Sequence, residues 1–466
     1  MSELLTFDTP MMISAIILAL TFVGIFTEEF HGFHRTKFAL GGAVVMVIVG
    51  QIFGFYNPEL ALHAIDWNVV FLLMFMMTLI AILAPTGGFQ AIAYWIADLS
   101  KGRLFFLLAM LGAAVSGISL LLDNVTTVVI FGPLIVLICQ ALKVSPVPYL
   151  IAAAMLSNTG GIATLVGDPP NLMIGSAAGF DFNTFIMKMG VPVLAIWFVS
   201  LFMMKIVFRK ELSVQAETPH FEEKEHVKDP RNWYAGLAVL ATMIVLFVMH
   251  GAFHWDAWFV AAIGLALMLF AGSKIDIDKT FEDVEITLLL FFISLFIVVG
   301  GVEHSQFLQW VGQFMLPVIE SDLLLATILL LWASAFLSAA IDNIPFTAAM
   351  IPILLGLEAS GANIMPLWWA LAIGVGLGGN GTHLGSTANV FVVTLSERIA
   401  KQSGDHSVAI TPGVWFKRGT PVMLATLVAA TVIFYFGFDF FNQEVKRTGS
   451  SLPVVEAAEH VEPVAH

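Results

Sequence analysis

Two short polar motifs interrupt apolar stretches of this chain, and each places a carboxylic acid next to a carboxamide. Asp123-Asn124 lies in the first half and Asp342-Asn343 in the second. A carboxyl group in apolar sequence must be protonated, paired with a cation or hydrated in a cavity, because an unpaired charge there is costly. The motifs therefore favour proton transfer by the aspartates and cation coordination by the asparagine oxygens. Capping of the following helix by the aspartate and hydrogen bonding of the asparagine to its own turn are the alternatives.

A second polar element follows each motif at nearly the same distance. Gly167–Asn171 ends 48 residues after Asp123, and Gly385–Asn389 ends 47 residues after Asp342. Glycine and proline break helices, so each element predicts a broken helix whose freed backbone groups bind a substrate or an ion. Close helix packing through small residues is the alternative, but it does not require Asp168 beside two prolines.

The predicted binding residues are polar or small residues of these four elements and of the segments next to them: Asp123, Asn124, Thr126, Thr127, Asn158, Thr159, Thr164, Gly167, Asp168, Asn171, Asp342, Asn343, Thr347, Asn380, Thr382, Ser386, Thr387 and Asn389.

The composition places these elements in a membrane. Hydrophobic residues make up 59% of the chain, charged residues 12%, and the mean hydropathy is +0.91, which is typical of a polytopic membrane protein. The net charge of −14 is spread over loops and the tail, so no nucleic-acid partner is expected. The single cysteine, Cys139, provides no disulfide and no thiolate metal site. We expect no cofactor, no metal centre and no enzymatic activity, because the sequence has no evident nucleotide-binding Gly-Lys-Ser/Thr motif, zinc-binding His-Glu-x-x-His motif or Ser/His pairing.

The spans form a duplicated set. A span needs roughly 20 apolar residues, and the first half offers 11–27, 38–55, 67–84, 147–178 and 183–208, with 103–140 too short for two spans and a turn. The second half repeats the pattern at 233–250, 255–272, 285–301, 365–396 and 417–438, with 322–357 as the short stretch. An offset of 219 residues places Asp66 on Glu285.

The predicted fold is therefore all-α and polytopic, with two inverted-topology repeats, about 10 transmembrane helices, two re-entrant hairpins and two broken helices. Five crossings per half, an odd number, require the second copy to be inverted. We expect a first repeat over 11–208, a cytoplasmic linker over 209–232, a second repeat over 233–440 and an extracytoplasmic acidic tail over 441–466.

Basic residues set the predicted orientation. Alternate assignment of the loops puts sixteen Lys and Arg residues on one side, among them Arg35 and Lys37, and only Lys446 and Arg447 on the other. Basic loops stay in the cytoplasm, so both termini are expected outside the inner (cytoplasmic) membrane, with the hairpins entering from opposite faces. Apart from Arg103 at the edge of a hairpin, no Arg or Lys falls in the interrupted stretches, so basic side chains are expected to be scarce near the aspartates.

The motifs carry a resemblance to a known group of transporters. Asp123-Asn124-Val125-Thr126-Thr127 followed by the run 157–171 resembles the ion-transporter superfamily, over roughly residues 11–440. The arsenite permeases, the melanosomal P protein group and the NhaD-type sodium/proton antiporters are the nearer groups, and divalent-anion/sodium symporters and citrate carriers the more distant. The resemblance implies inverted repeats, binding roles at 123–126, 342–345, 167–171 and 385–389, and a homodimer with elevator-like motion.

These observations predict a secondary active transporter with the lipid bilayer, protons, a small inorganic ion and possibly sodium as its partners. Arsenite or antimonite efflux and sodium–proton antiport both suit an acidic site, with Asp123 and Asp342 carrying protons and Asn124, Asn171, Asn343 and Asn389 coordinating the ion. A sodium-coupled di- or tricarboxylate or sulfate symporter is the alternative, and an ion channel is the alternative class.

Overall fold

The structure, a computed structural model, describes residues 5–28, 32–214, 216 and 227–447. Within these ranges all regular structure is helical, apart from one isolated β-bridge between Phe180 and Arg447. Nine of the described helical stretches are at least 18 residues long and apolar enough to cross a membrane. The all-α polytopic fold is therefore confirmed.

The helices of the first half are α1 (Thr9–Phe26), α2 (Arg35–Phe53), α3 (Pro58–His63), α4 (Trp67–Leu83), α5 (Gly88–Ser100), α6 (Leu104–Ser119), α7 (Asn124–Ala141), α8 (Val147–Gly161), α9 (Pro169–Ala178) and α10 (Phe182–Val207). Those of the second half are α11 (Pro230–Phe253), α12 (Ala257–Ala271), α13 (Ile277–Glu282), α14 (Ile286–His304), α15 (Phe307–Gly312), α16 (Leu316–Ser321), α17 (Leu323–Ala340), α18 (Asn343–Ala359), α19 (Met365–Gly378), α20 (Thr387–Ser403), α21 (Pro412–Phe436) and α22 (Phe438–Asn442).

The two halves contain the same elements in the same order. Each has three spans, a helical hairpin, a broken helix and a last span, and even short connecting helices correspond, with α3 and α13 starting 219 residues apart, as do α5 and α15. Five crossings per half make the second repeat the inverted copy of the first. The repeats, hairpins and broken helices predicted from the motifs are all present.

Each hairpin turns at its aspartate. In hairpin 1 (α6 and α7) the Asp123 carboxylate accepts a hydrogen bond from the backbone N–H of Thr126 at 2.8 Å, and in hairpin 2 (α17 and α18) Asp342 accepts from Ile344 at 3.2 Å. Such N-capping satisfies backbone donors that a helix leaves unpaired. The capping alternative is therefore correct for both aspartates, and it leaves carboxylate oxygens for further contacts.

The two breaks are held by duplicated hydrogen bonds. Break 1 (residues 162–168) is closed by the Asn171 carboxamide, which donates to the carbonyls of Gly161 and Thr164, each at 3.0 Å. Break 2 (residues 379–386) is closed by Asn389, which donates to Gly379 at 2.6 Å and Thr382 at 2.8 Å. Non-helical backbone at membrane depth needs such internal partners, because no water is available in hydrocarbon.

The breaks are also fixed to their own hairpins. Thr164 Oγ1 donates to the Leu120 carbonyl at 2.5 Å, and Thr382 Oγ1 donates to Ala339 at 2.6 Å. All of α19 and all of α8 except Val147 are buried, so the broken helices form the centre of the protein. Hairpin and break therefore form one unit in each repeat.

Two groups of helices meet around this centre. The first three spans of each repeat pack on one another, with α2 against α14 and α4 against α12. The hairpins, broken helices and last spans form the other group, with α6 against α8, α17 against α19 and α10 against α21. The contact surface between the groups contains the candidate site.

Several helices extend beyond the spans expected from the sequence. Helix α2 starts at Arg35 rather than at 38, α20 extends to Ser403 rather than 396, and α21 starts at Pro412 rather than 417. The amphipathic helix α5 was not expected, because its polar face lowers its hydropathy. Residues 215 and 217–226 of the expected linker and 448–466 of the expected tail lie outside the described residues.

Candidate functional site

The two hairpin tips and the first turns of α9 and α20 surround one small cavity of about 20 Å³. This volume suffices for about one water molecule or an ion of similar size. The lining residues come from both repeats and from both groups of helices: Arg35, Asp123, Asn124, Val125, Asp168, Pro169, Glu285, Leu288, Asn343, Ile344, Ser386 and Thr387. Six of the predicted binding residues are in this set.

A salt bridge crosses one side of the cavity. The Arg35 guanidinium, from the first residue of α2, donates from Nη1 to Asp342 Oδ2 at the tip of hairpin 2. The two side chains are 16% and 13% exposed. The same nitrogen donates to Thr387 Oγ1 at 3.2 Å. The expectation that basic side chains are scarce near the aspartates is therefore wrong at Asp342, because a third element, outside the interrupted stretches, supplies the cation.

Asp168 is the least partnered of the three aspartates around the cavity. Its side chain is 1% exposed, and among the described residues only the Asn343 carboxamide donates to it, at 3.4 Å. Asp123 differs, because Thr126 Oγ1 donates to its second oxygen at 2.5 Å. A buried carboxylate with one long hydrogen bond needs a proton or a bound cation. Asp168 is therefore the strongest candidate for exchanging either.

Glu285, at the start of α14, adds a fourth carboxyl group to Asp123, Asp168 and Asp342. Four acidic side chains against Arg35 make the surroundings of the cavity acidic overall. Glu285 is not among the binding residues predicted from the sequence, although the repeat offset pairs it with Asp66, an acidic residue at the start of the equivalent span. That pairing is the signal that could have identified it.

A buried carboxamide network lies behind the cavity. Asn158 Oδ1 accepts from Asn124 Nδ2 at 2.9 Å and from Ser386 Oγ at 3.1 Å, and Asn158 Nδ2 donates to Asn380 Oδ1 at 2.9 Å and Asn389 Oδ1 at 3.3 Å. Asn380 in turn donates to Thr159 Oγ1 at 3.3 Å. The network joins the two repeats across their centre.

The network leaves two oxygens of the cavity lining available. No described residue donates to the carboxamide oxygens of Asn124 and Asn343, whose nitrogens are engaged by Asn158 and Asp168. Amide and carboxylate oxygens are the ligands that hard cations prefer. The cavity therefore combines two free amide oxygens with buried carboxylates.

The remaining predicted residues support the site from outside its lining. Asn171 and Asn389, expected to coordinate the ion, hold the breaks through their carboxamide nitrogens and are not in the lining of the cavity. Thr127 and Thr347 donate to carbonyls one turn earlier in their own helices. Gly167 allows close approach of backbones, since a Cβ there would lie 2.4 Å from the Ser119 carbonyl oxygen. Among the described residues, no group of three or more His, Cys, Asp or Glu has the arrangement of a metal site.

Comparisons with known proteins agree on the class. The sequence profile of the citrate transporter family matches residues 16–374. A 46 kDa membrane protein of Mycobacterium leprae is 35% identical over 80% of this chain and 87% of its own length. Human P protein is 29% identical over 90% of this chain and 59% of its own length. The crystal structure of the Alcanivorax borkumensis YdaH transporter, described as having an unusual topology, has a TM-score of 0.53 at 16% identity, covering 93% of this chain and 99% of that one.

Proposed function

The chain belongs to the citrate transporter family of the ion-transporter superfamily, and from this premise we propose that it exchanges a small inorganic cation for protons across the membrane. The observation that carries the proposal is the cavity between the repeats, which is about 20 Å³ in volume and has Asp123, Asp168 and Glu285 in its lining. A cavity of this size takes an ion rather than a tricarboxylate, and its acidic lining favours a cation.

Asp168 would carry the exchange. Its carboxylate lacks a strong donor, so in a buried site it binds either a proton or the transported cation, and not both at once. Asn124 and Asn343 would supply the amide oxygens that replace part of the hydration shell of the ion. Asp342 is less suited to proton transfer than expected, because Arg35 already neutralises it.

The test is a flux assay in proteoliposomes with an imposed pH gradient. Sodium, lithium, arsenite and citrate are offered separately, and we expect sodium or lithium to dissipate the gradient. Asp168→Asn, correctly inserted, should lose this exchange and its pH dependence, whereas Asp98→Asn, an exposed residue of α5, should retain both. Normal exchange with normal pH dependence in Asp168→Asn would refute the proposal.

Sodium-coupled carboxylate symport is the second candidate, and Arg35 favours it. A guanidinium at the cavity edge suits a carboxylate, and the family profile is that of citrate transporters. The cavity volume is the argument against it in this conformation. Sodium-driven uptake of labelled citrate or succinate, without sodium-dependent proton release, would promote this candidate over antiport. Arsenite flux would point instead to uncharged arsenous acid, bound through amides and hydroxyls.

The proposed setting is the inner membrane, with both termini outside and the residues between 209 and 232 as a cytoplasmic linker. Arg35 and Glu285 start spans at the side assigned to the cytoplasm, so the cavity would face inward in this conformation. In a Cys139→Ser background, Lys101→Cys should react with an impermeant thiol reagent only from the cytoplasmic side, and His254→Cys only from outside. The reverse labelling would overturn the orientation. A homodimer, implied by the resemblance, is testable by native mass spectrometry.

A further inference from the structure

The two hairpin tips are equivalent in the repeat but differ in how their aspartates are neutralised. Asp123 receives hydrogen bonds from Thr126 in its own hairpin, whereas Asp342 receives a guanidinium from another helix. We propose that Arg35 fills a monovalent-cation site at Asp342, which a free cation would occupy if the guanidinium were removed. This deepens the proposed function, and it rests on that function only for the role of the cavity in transport.

The guanidinium has the partners that a bound cation would need. Asp342 Oδ2 contacts it directly, and Thr387 Oγ1 lies 3.2 Å from Nη1 and 3.4 Å from Asp342 Oδ2, so the three groups form a closed triangle. The ring of Phe291 lies 5.0 Å from the guanidinium carbon, within the range of a cation–π contact. Carboxylate, hydroxyl and aromatic face are thus already arranged around a positive charge.

Asp342 is fully engaged in this arrangement. Its Oδ1 caps α18 through the Ile344 N–H at 3.2 Å, while Oδ2 accepts from Arg35 and Thr387. The pair is partly buried, so its charges are less screened than those of a surface salt bridge. Removal of the guanidinium would leave a buried carboxylate without compensation, and such a group takes up a proton or a cation.

The tethered charge also limits what the cavity can carry. An arginine stays protonated in proteins, so Arg35 cannot give up its charge to make room for a second ion. The aspartate of hairpin 2 is therefore permanently neutralised by Arg35, and only Asp168 and Asp123 can bind an exchangeable ion.

The test measures thermal unfolding of purified protein and needs no transport. Low millimolar guanidinium should stabilise Arg35→Ala. The guanidinium concentration that gives half of this stabilisation should be about tenfold lower than the concentration at which the wild-type protein shows any response. A factor of ten in affinity corresponds to about 1.4 kcal/mol of binding free energy. Arg35→Ala/Asp342→Asn, which lacks both charges, should lose this response. Arg398→Ala, which removes an exposed arginine, should behave as the wild type does.

Equal guanidinium responses in Arg35→Ala and in the double variant would overturn the proposal. If Arg35→Ala cannot be purified, Arg35→Gly and Asp342→Asn provide the same comparison, because the first removes the guanidinium of the pair and the second removes its carboxylate. Only Arg35→Gly should gain thermal stability from added guanidinium. If guanidinium stabilises Arg35→Ala as expected but the wild-type protein shows no cation–proton exchange, the proposed function is refuted and the cation site stands. If the wild-type protein exchanges cations for protons but guanidinium does not stabilise Arg35→Ala, only the cation site is refuted.

Discussion

Replacement of Asn158 by alanine should destabilise the protein through the network that joins the repeats. The Asn158 carboxamide makes four hydrogen bonds, with Asn124, Ser386, Asn380 and Asn389. Interhelical hydrogen bonds in membrane proteins average about 0.6 kcal/mol each, so the loss of all four predicts a decrease of about 2 to 3 kcal/mol in the free energy of unfolding. The four groups left behind are the carboxamide oxygens of Asn380 and Asn389, the Asn124 carboxamide nitrogen and the Ser386 hydroxyl. All four residues are buried, so none of these groups regains a partner from water at no cost.

The assay is reversible unfolding in mixed micelles, followed by tryptophan fluorescence. Ser334→Ala is the matched control, because the Ser334 hydroxyl is buried and has no hydrogen-bond partner among the described residues, so its removal should not destabilise the protein. Asn158→Ala should also weaken cation binding, since Asn124 and Ser386 line the cavity. A stability for Asn158→Ala within about 0.5 kcal/mol of that of Ser334→Ala, the usual range for neutral substitutions, would refute the reasoning.

Two further predictions concern the breaks. Gly167→Ala should destabilise by about 1 to 3 kcal/mol, because its Cβ would lie 2.4 Å from the Ser119 carbonyl oxygen, whereas Gly117→Ala, with no atom within 4 Å, should be neutral or stabilising by up to about 1 kcal/mol in its helix. Equal unfolding free energies for the two variants would contradict the packing of break 1. Asn171→Ala and Asn389→Ala each remove two hydrogen bonds to carbonyls of a break, so each should cost about 1 kcal/mol, with Asn389→Ala the costlier by its bond from Asn158. The same unfolding assay checks this, and a neutral Asn171→Ala would show that the break holds without its carboxamide.

The hairpins and breaks could be predicted from sequence because polar and helix-breaking residues stand out in apolar surroundings. Asp123 and Asp342 signal the tips, and the Pro-Pro pair after Asp168 signals a break, each through local chemistry alone. Arg35 and Glu285 could not be identified in the same way. Charged residues at the end of a span ordinarily serve as interfacial anchors, and only the folded chain brings Arg35 to a partner 307 residues away.

The hydrogen bonds that Asn171 and Asn389 make to the breaks could not be predicted, for a related reason. The sequence contains the two asparagines and predicts breaks with unpaired backbone carbonyls. It does not show which polar groups form hydrogen bonds with one another. The demand of unpaired backbone for partners at membrane depth takes priority over ligand binding at these two positions. Asn124 and Asn343, at tips that turn toward the cavity, keep their oxygens available.

The way in which break 1 is fixed to hairpin 1 bears on how the chain is made. The side-chain hydrogen bonds from Ser116, Ser119, Thr164 and Asn171 that hold this unit together all have partners within residues 116–171. Asn158, by contrast, needs Asn380, which is synthesised 222 residues later, or roughly 10 to 45 s at the usual rate of translation. We expect hairpin 1 and break 1 to form in the membrane while the second half of the chain is still being synthesised. The Asn158 carboxamide nitrogen has no Asn380 to donate to until then. A cysteine pair replacing Ser116 and Leu156 that cross-links only after release of the full chain would contradict this order.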